Sequence, residues 1–331
     1  MARTAQRDDL TAGATWLVGD VGGTNARFGL VSPGGELLHS RILADSDYPG
    51  IGEAIAAYLA GRGELAMPRR GAIAIASPIT GDRVRMTNHP WSFSVGELRG
   101  QLGFERLDVI NDFTAQALAL PHLGDGDKTK IGGGGAVAGR PIGVLGPGSG
   151  LGVSGLIAAG DPAAPRWIPL TGEGGHATMA PATARESAVL DHMRRHYDHV
   201  SFERCVSGPG IVNLYNALAA VDGIPAAQYT AAQITDPEIS AGDPRCHEAT
   251  EMFCAMLGTA ASNLALTLGA QGGVYIAGGI VPRLGERFAA SPFRARFEAK
   301  GRFAAYLAAV PTWVVTHNLA AFLGCAAALR D

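Results

Sequence analysis

The chain carries one local plan twice. Residues 15–32, TWLVGDVGGTNARFGLVS, and residues 142–158, IGVLGPGSGLGVSGLIA, each run from a short apolar segment through a glycine turn into a second apolar segment. Apolar runs broken by a glycine cluster read as two strands joined by a wide turn. A supersecondary unit repeated in both halves of a chain constrains the fold more than any composition figure does. With 331 residues there is room for two domains. Strands and helices alternate between and after the repeats, so the pattern points to two similar α/β lobes facing a cleft.

Residues 71–77, GAIAIAS, form a buried strand, followed by the turn Pro78–Asp82 and a more polar strand through Met86. Residues 106–120, RLDVINDFTAQALAL, open as a short strand, Leu107–Ile110, which polar Asn111 and Asp112 end. A helix follows, with Asp112 or Thr114 expected as its cap. Residues 121–141 hold Pro121 and the run Gly132–Gly135 and read as a loop at the lobe boundary. Further helices are expected at about 181–197, with Pro181 in an N1-type position, and at 209–221 and 247–269. A buried strand is expected at 273–277, stopping at Gly278-Gly279, and a last helix at about 318–330.

Charge and cysteine usage exclude several classes. There are 27 basic and 30 acidic residues, a net of −3, whereas a nucleic-acid protein needs a basic footprint. A kinase of small anionic ligands can be mildly acidic, because backbone N–H groups and Mg²⁺ neutralise phosphate locally. Cys205, Cys246, Cys254 and Cys325 form no C-x-x-C pair, so neither a zinc site nor a disulfide framework is indicated, and a reducing cytoplasm is expected. The N-terminus lacks the apolar core of a signal peptide, and no long uncharged apolar run suggests a membrane span. The first twelve residues read as a mobile tail. Glycine is the outlier: 46 residues, about twice the ordinary share of roughly 7%.

Six stretches could carry chemistry. In Gly19-Asp20-Val21-Gly22-Gly23-Thr24-Asn25, glycines let the backbone approach triphosphate oxygens and adopt positive φ, Thr24 adds a hydroxyl, and Asp20 could hold Mg²⁺ through water. Gly146-Pro147-Gly148-Ser149-Gly150-Leu151-Gly152 stands at the equivalent point of the repeat, so the two turns could grip one polyphosphate. The G-x-G-x-x-G inside it, Gly150 to Gly155, precedes a strand-like run and not a helix, which rules out the dinucleotide reading; the Walker pattern is absent. Asn111-Asp112 ends a strand, where a carboxylate could take the proton of an attacking sugar hydroxyl or simply cap the helix. In Gly172-Glu173-Gly174-Gly175-His176, a carboxylate and an imidazole three residues apart can reach one polyhydroxylated ligand; a solvated turn is the plainer alternative. Glu203, ahead of Ser207-Gly-Pro-Gly210, could be a further hydroxyl acceptor or an ordinary surface residue. Gly278-Gly279, after a buried strand, could let adenine lie against the backbone, or form a plain turn.

Taken together, G-D-V-G-G-T-N, I-N-D-F-T-A, G-P-G-S-G-L-G, G-E-G-G-H, H-V-S-F-E-R with S-G-P-G, and G-V-Y-I-A-G-G-I-V-P-R follow the order and rough spacing of the bacterial glucokinase family. M-T-N-H-P-W (86–91) and K-G-R-F (300–303) add to the likeness, which covers nearly the whole chain after about residue 15. The resemblance implies an α/β fold of two actin-like, ribonuclease-H-like lobes with a cleft between them. The small lobe would be 13–121 plus 317–331 and the large lobe 122–316. It implies ATP-dependent phosphorylation of glucose at the 6-hydroxyl, the first step of glycolysis, with Mg²⁺, in a cytoplasmic homodimer free of nucleic-acid and membrane partners. Asp112 would be the general base, with Asn111 beside it on the sugar; Glu173, His176 and Glu203 would bind sugar hydroxyls. Gly19 to Thr24 would form the first phosphate loop and Gly148, Ser149 and Gly150 the second, with Gly278 and Gly279 by the adenosine. The cysteine-rich zinc motif of the repressor–kinase relatives is absent, so His176 does not read as a zinc ligand, and Ser149 stands where close relatives often have Thr.

Three functions compete at this point. A hexose kinase needs a base and a sugar-polar turn, which Asp112 and Glu173/His176 supply. An actin-like or chaperone-type ATPase would usually carry inserts for which 331 residues leave little room. A sugar sensor of the same fold would typically append a DNA-binding module, which the short N-terminal tail is not expected to be. A kinase for another hexose remains the nearest alternative.

Overall fold

The computed structural model describes residues 14–161 and 165–330. The tail read at residues 1–12 lies outside the described residues. The chain divides into two compact units: unit 1 takes the described residues up to Leu123 together with those from Asn318 onward, and unit 2 is Gly124–His317.

Unit 1 is built on β1 (Trp16–Val21), β2 (Asn25–Val31), β3 (Leu37–Ala44) and β4 (Arg70–Ile75), a small hairpin of β5 (Arg83–Arg85) and β6 (Ser92–Ser94), and β7 (Arg106–Asn111). The main sheet has the order β3-β2-β1-β4-β7. β1, β2 and β3 pair antiparallel, while β1, β4 and β7 run parallel. The two-residue period of a strand explains the run GAIAIAS. Ile73 and Ile75 join Leu17, Phe28 and Leu30 under the helix Ile51–Ala60 on one face. Ala72 and Ala74 join Val18, Ala115, Phe322 and Cys325 under the helices Asp112–Ala119 and Ala320–Arg330 on the other. A sheet covered on both faces reads as a continuous apolar run. The small residues on the second face bring the two helices together: a Cβ on Gly324 would run into the Ala115 carbonyl.

Unit 2 repeats the plan. Its strands are β8 (Lys128–Ile131), β9 (Ile142–Pro147), β10 (Leu151–Ala159), β11 (Arg166–Gly172), β12 (Val274–Ile276) and β13 (Thr312–Val315), in the order β11-β10-β9-β12-β13-β8. β9, β10 and β11 are antiparallel, and β12 and β13 lie parallel to β9. The internal repeat is thus five strands deep, three antiparallel and two parallel, although only its first hairpin was visible as a glycine pattern. The helices cover this sheet with a core that includes Tyr215, Phe253, Phe288, Phe293 and Phe297.

Four local expectations are corrected. The stretch 121–141 is not all loop: β8 pairs antiparallel with β13 at the sheet edge, where a strand of two lysines and one buried residue, Ile131, suffices. The first helix of unit 2 is Ala184–Met193, not 181–197, and Thr183, whose side chain accepts from the Glu186 N–H, starts it in place of Pro181. The helix after β7 is capped by Asn111, whose side chain accepts from Phe113 and Thr114, and not by Asp112 or Thr114. Finally, the helix Pro244–Leu268 is long and apolar enough to cross a membrane, contrary to the expected absence of any such run. Its apolar window is 67% buried within the unit, which is what a core helix requires.

Candidate active site

In unit 1 the first hairpin turn and the end of β7 carry the singled-out residues. Gly19 and Val21 belong to β1 itself. Val21 is buried, and a Cβ on Gly19 would press on Ile73 and Phe28 at 3.1 Å, so both serve the sheet. The turn proper is Gly22-Gly23-Thr24, closed by the Gly22 N–H donating to the Asn25 carbonyl (3.1 Å). Neither glycine has positive φ, which corrects the expectation; Gly23 is required because a Cβ would come within 2.9 Å of the Asn88 Cβ. Thr24 is exposed. Asp20 stands opposite Arg27 in the β1–β2 register. Burial pushes the Asp20 carboxyl above its ordinary value, and the Arg27 charge only partly offsets this. A part-buried carboxylate that is costly to ionise is a fitting partner for a cation, which suits Asp20 to hold Mg²⁺ through water.

At the same end of the strands, two strands across in the register Val21–Ile75–Asn111, Asn111 Oδ1 accepts from the N–H groups of Phe113 (2.8 Å) and Thr114 (3.2 Å), and its Nδ2 donates to the Ser77 carbonyl (3.4 Å). Asp112 is the first helical residue, partly exposed, and its Oδ1 accepts from the Phe113 N–H at 2.9 Å. The Thr114 hydroxyl is buried without a hydrogen-bond partner among the described residues, so it contributes no cap.

In unit 2 the peptide of Leu151 gathers the remaining residues. Its N–H donates to Glu203 Oε2 at 2.9 Å. Its carbonyl lies where a Cβ on Gly175 would collide with it. Gly175 is the buried centre of the turn that presents exposed Glu173 and His176. The turn is held from its other end too: Met179 donates to Val200 (3.0 Å) and Phe202 to Ala177 (2.8 Å), so the chain leaving His176 runs beside the chain entering Glu203. The second glycine turn, Gly148-Ser149-Gly150, is closed by the Gly148 N–H on the Gly150 carbonyl and clamped by the Gly208 N–H on the Gly148 carbonyl, both at 2.8 Å. Ser149 is exposed at its tip. Gly278, at φ +81°, abuts the Pro147 carbonyl at 2.5 Å from a would-be Cβ, and Gly279 follows it into a short helix. Glu173, His176, Glu203, the second turn and Gly278 thus form one neighbourhood within unit 2. Sequence reasoning missed Leu151 as its hub, since its role is played by backbone atoms. It also missed Ser77 in unit 1, whose carbonyl accepts from the Asn111 amide. No group of three or more metal-ligating side chains exists among the described residues.

Sheets of matching strand order in the two units, each with a glycine turn on its first hairpin, are the plan of the actin-like α/β fold of sugar kinases. The glucokinase family model matches residues 17–331. A glucokinase of Paramagnetospirillum magneticum is 52% identical over 315 residues, covering 95% of this chain and 97% of its own. A glucokinase of Aromatoleum aromaticum is 51% identical, covering 95% and 94%. The crystal structure of a glucokinase from an Antarctic psychrotroph superposes with a TM-score of 0.86 at 37% identity, covering 96% and 98% of the two chains. The chain belongs to the glucokinase family. Its activity is transfer of a phosphoryl group from ATP to the 6-hydroxyl of glucose.

Proposed function

We propose that Asp112 is the general base of this transfer, accepting the proton of the 6-hydroxyl as the γ-phosphoryl group arrives. The observation that supports this most is at the start of the helix Asp112–Ala119. Asn111 makes the N-cap bonds to Phe113 and Thr114, so the N-cap role does not fall to Asp112, although its Oδ1 also accepts from the Phe113 N–H at 2.9 Å. Asn111 lies beside it on the sugar, with its amide orientation held by Ser77. Glu173 and Glu203 accept hydrogen bonds from sugar hydroxyls, and His176 adds a ring nitrogen. The N–H groups of Gly22–Thr24 and Gly148–Gly150, with the hydroxyls of Thr24 and Ser149, meet the phosphates. Gly278 and Gly279 lie by the adenosine. Mg²⁺, held through water by Asp20, would neutralise phosphate charge when bound with ATP.

We take unit 1 as the small lobe and unit 2 as the large lobe; the bounds expected from sequence, 13–121 plus 317–331 and 122–316, differ from those of the units at residues 122–123 and 317. A cytoplasmic homodimer without nucleic-acid or membrane partners completes the reading; the net charge of −3 supports only the lack of a nucleic-acid partner. The test is Glu173→Gln with glucose and ATP affinities measured separately by calorimetry. Hydrogen bonds to charged groups contribute about 1.5–3 kcal/mol, so glucose affinity should fall roughly 10- to 100-fold while ATP affinity holds. Weakened ATP binding with intact glucose binding would overturn the assignment of this turn.

A further inference from the structure

The stretch Ser207-Gly208-Pro209-Gly210 has no part in the mechanism above, yet within unit 2 it joins Glu203 to the second glycine turn. Ser207 is 1% exposed and caps the helix Gly208–Val221, its Oγ accepting from the Gly210 N–H at 2.9 Å. The same hydroxyl donates to the Glu203 carbonyl at 2.8 Å. A hydroxyl has one proton and two lone pairs, so it makes both bonds at once. Glycine at 210 permits the approach: a Cβ there would lie 2.7 Å from the Cys205 carbonyl oxygen and 3.1 Å from that of Glu203. The next N–H after Ser207, that of Gly208, donates to the Gly148 carbonyl of the second turn at 2.8 Å.

Glu203 needs such support. The helix that carries it, Phe202–Cys205, is four residues long, and so short a helix does not hold its own geometry. The long helix holds it instead, at two adjacent carbonyls: Ser207 Oγ donates to that of Glu203, and Asn213 Nδ2 to that of Arg204 at 3.0 Å. At the far end of the side chain, Glu203 Oε2 accepts from the Leu151 N–H at 2.9 Å, while Oε1 has no hydrogen-bond partner among the described residues. One oxygen fixes the carboxylate and the other is left for a ligand. The links close a ring: the turn Gly148–Gly150 runs into Leu151, Leu151 holds the Glu203 carboxylate, Ser207 holds the Glu203 backbone, and Gly208 returns to Gly148.

We propose that Ser207 is a positioning residue for the sugar: through its hydroxyl the helix Gly208–Val221 fixes the backbone of Glu203, and so the place of the carboxylate beside the second turn. The proposal rests on the reading that Glu203 contacts the sugar. Ser207 acts only through Glu203.

The experiment compares Glu203→Gln, Ser207→Gly, Ser207→Asp, Ser207→Thr and the double variant Ser207→Gly/Glu203→Gln, with KM for glucose and for ATP, kcat and thermal melting measured for each. Glu203→Gln tests the sugar contact: an unchanged glucose KM would remove that reading and this proposal with it. Glycine and ionised aspartate both still start a helix, but neither has a proton to donate to the Glu203 carbonyl. Each should raise the glucose KM about three- to tenfold, the equivalent of one neutral hydrogen bond, with the ATP KM within about twofold. Ser207→Thr keeps the donor and should hold the glucose KM within about twofold of the wild type. The double variant should resemble Glu203→Gln alone, because a residue that acts through another adds nothing once the other is gone. If Ser207 were a helix cap only, Ser207→Gly and Ser207→Asp would keep the normal glucose KM. A raised glucose KM for Glu203→Gln beside a normal one for folded Ser207→Gly or Ser207→Asp would therefore overturn the proposal, as would Ser207 and Glu203 effects that simply multiply. Ser207→Asp serves with the same readings if Ser207→Gly does not fold.

Discussion

Gly150→Ala tests how the second glycine turn and Glu203, proposed as a sugar contact, are coupled. Gly150 is not in the left-handed region, so alanine does not strain the backbone. The added Cβ would instead collide with Glu203 Oε2, the atom that accepts the Leu151 N–H at 2.9 Å. The end of a glutamate is mobile, so the carboxylate moves and the fold stays. What is lost is one charge-assisted hydrogen bond and the position of Glu203, about 1.5–3 kcal/mol for a bond of this kind. At about 1.4 kcal/mol per factor of ten, glucose affinity should fall roughly 10- to 100-fold. Calorimetric titration with glucose reads this directly, and Glu203→Gln in the same background should cost little more, since the carboxylate is already displaced. Gly148→Ala is the contrast. Nothing lies within 4 Å of a Cβ there, so glucose affinity should hold while ATP affinity falls through obstruction of the phosphates. A folded Gly150→Ala protein with normal glucose affinity would refute the coupling.

Two further outcomes follow from burial and charge. Burial pushes the thiols of Cys205, Cys254 and Cys325 up to about 12 and that of Cys246 up to about 11, so at about pH 8 none should react with an aromatic disulfide reagent until the protein is denatured; a fast-reacting thiol in the native protein would contradict the packing. The Asp243 carboxyl is held below its ordinary 3.8, first by the Arg245 guanidinium and also by the Tyr215 hydroxyl, so it adds stability above about pH 3.8 that is lost as pH falls through its lowered value. Asp243→Asn should therefore lower the melting temperature at neutral pH, with the gap to the wild type closing in acid; a gap independent of pH would refute the ion pair's contribution.

The readable parts of this fold were those where backbone chemistry forces a residue type. The glycine turns, the buried run at 71–77 and the polar end of β7 all stood out, because few side chains satisfy such positions. What the pattern hid was of another kind. β3 is mostly exposed and β8 has one buried residue, so neither shows the alternation that marks a half-buried strand. The reason for the glycines was also misread. Gly23 is needed for close approach to Asn88 and not for positive φ, just as Gly150 and Gly175 allow close approach to Glu203 and Leu151; among these site glycines Gly278 alone adds positive φ to a close approach. Such contacts join residues far apart in the chain, as Leu151 and Glu203 are, and no local window contains them. Asn111 and Asp112 were seen as a pair, but which of them caps the helix depended on side-chain geometry.

The central claim is that Asp112 takes the proton of the attacking hydroxyl, and Asp112→Asn tests it most directly. Asparagine keeps the size and an oxygen that can accept from the Phe113 N–H, and Asn111 retains the cap, so melting should shift by no more than the equivalent of about 1 kcal/mol. Glucose should still bind. At saturating ATP and glucose, kcat should fall by about 10²–10⁴-fold, the usual contribution of a positioned base. A folded Asp112→Asn protein that binds glucose and turns over at the wild-type rate would contradict the account.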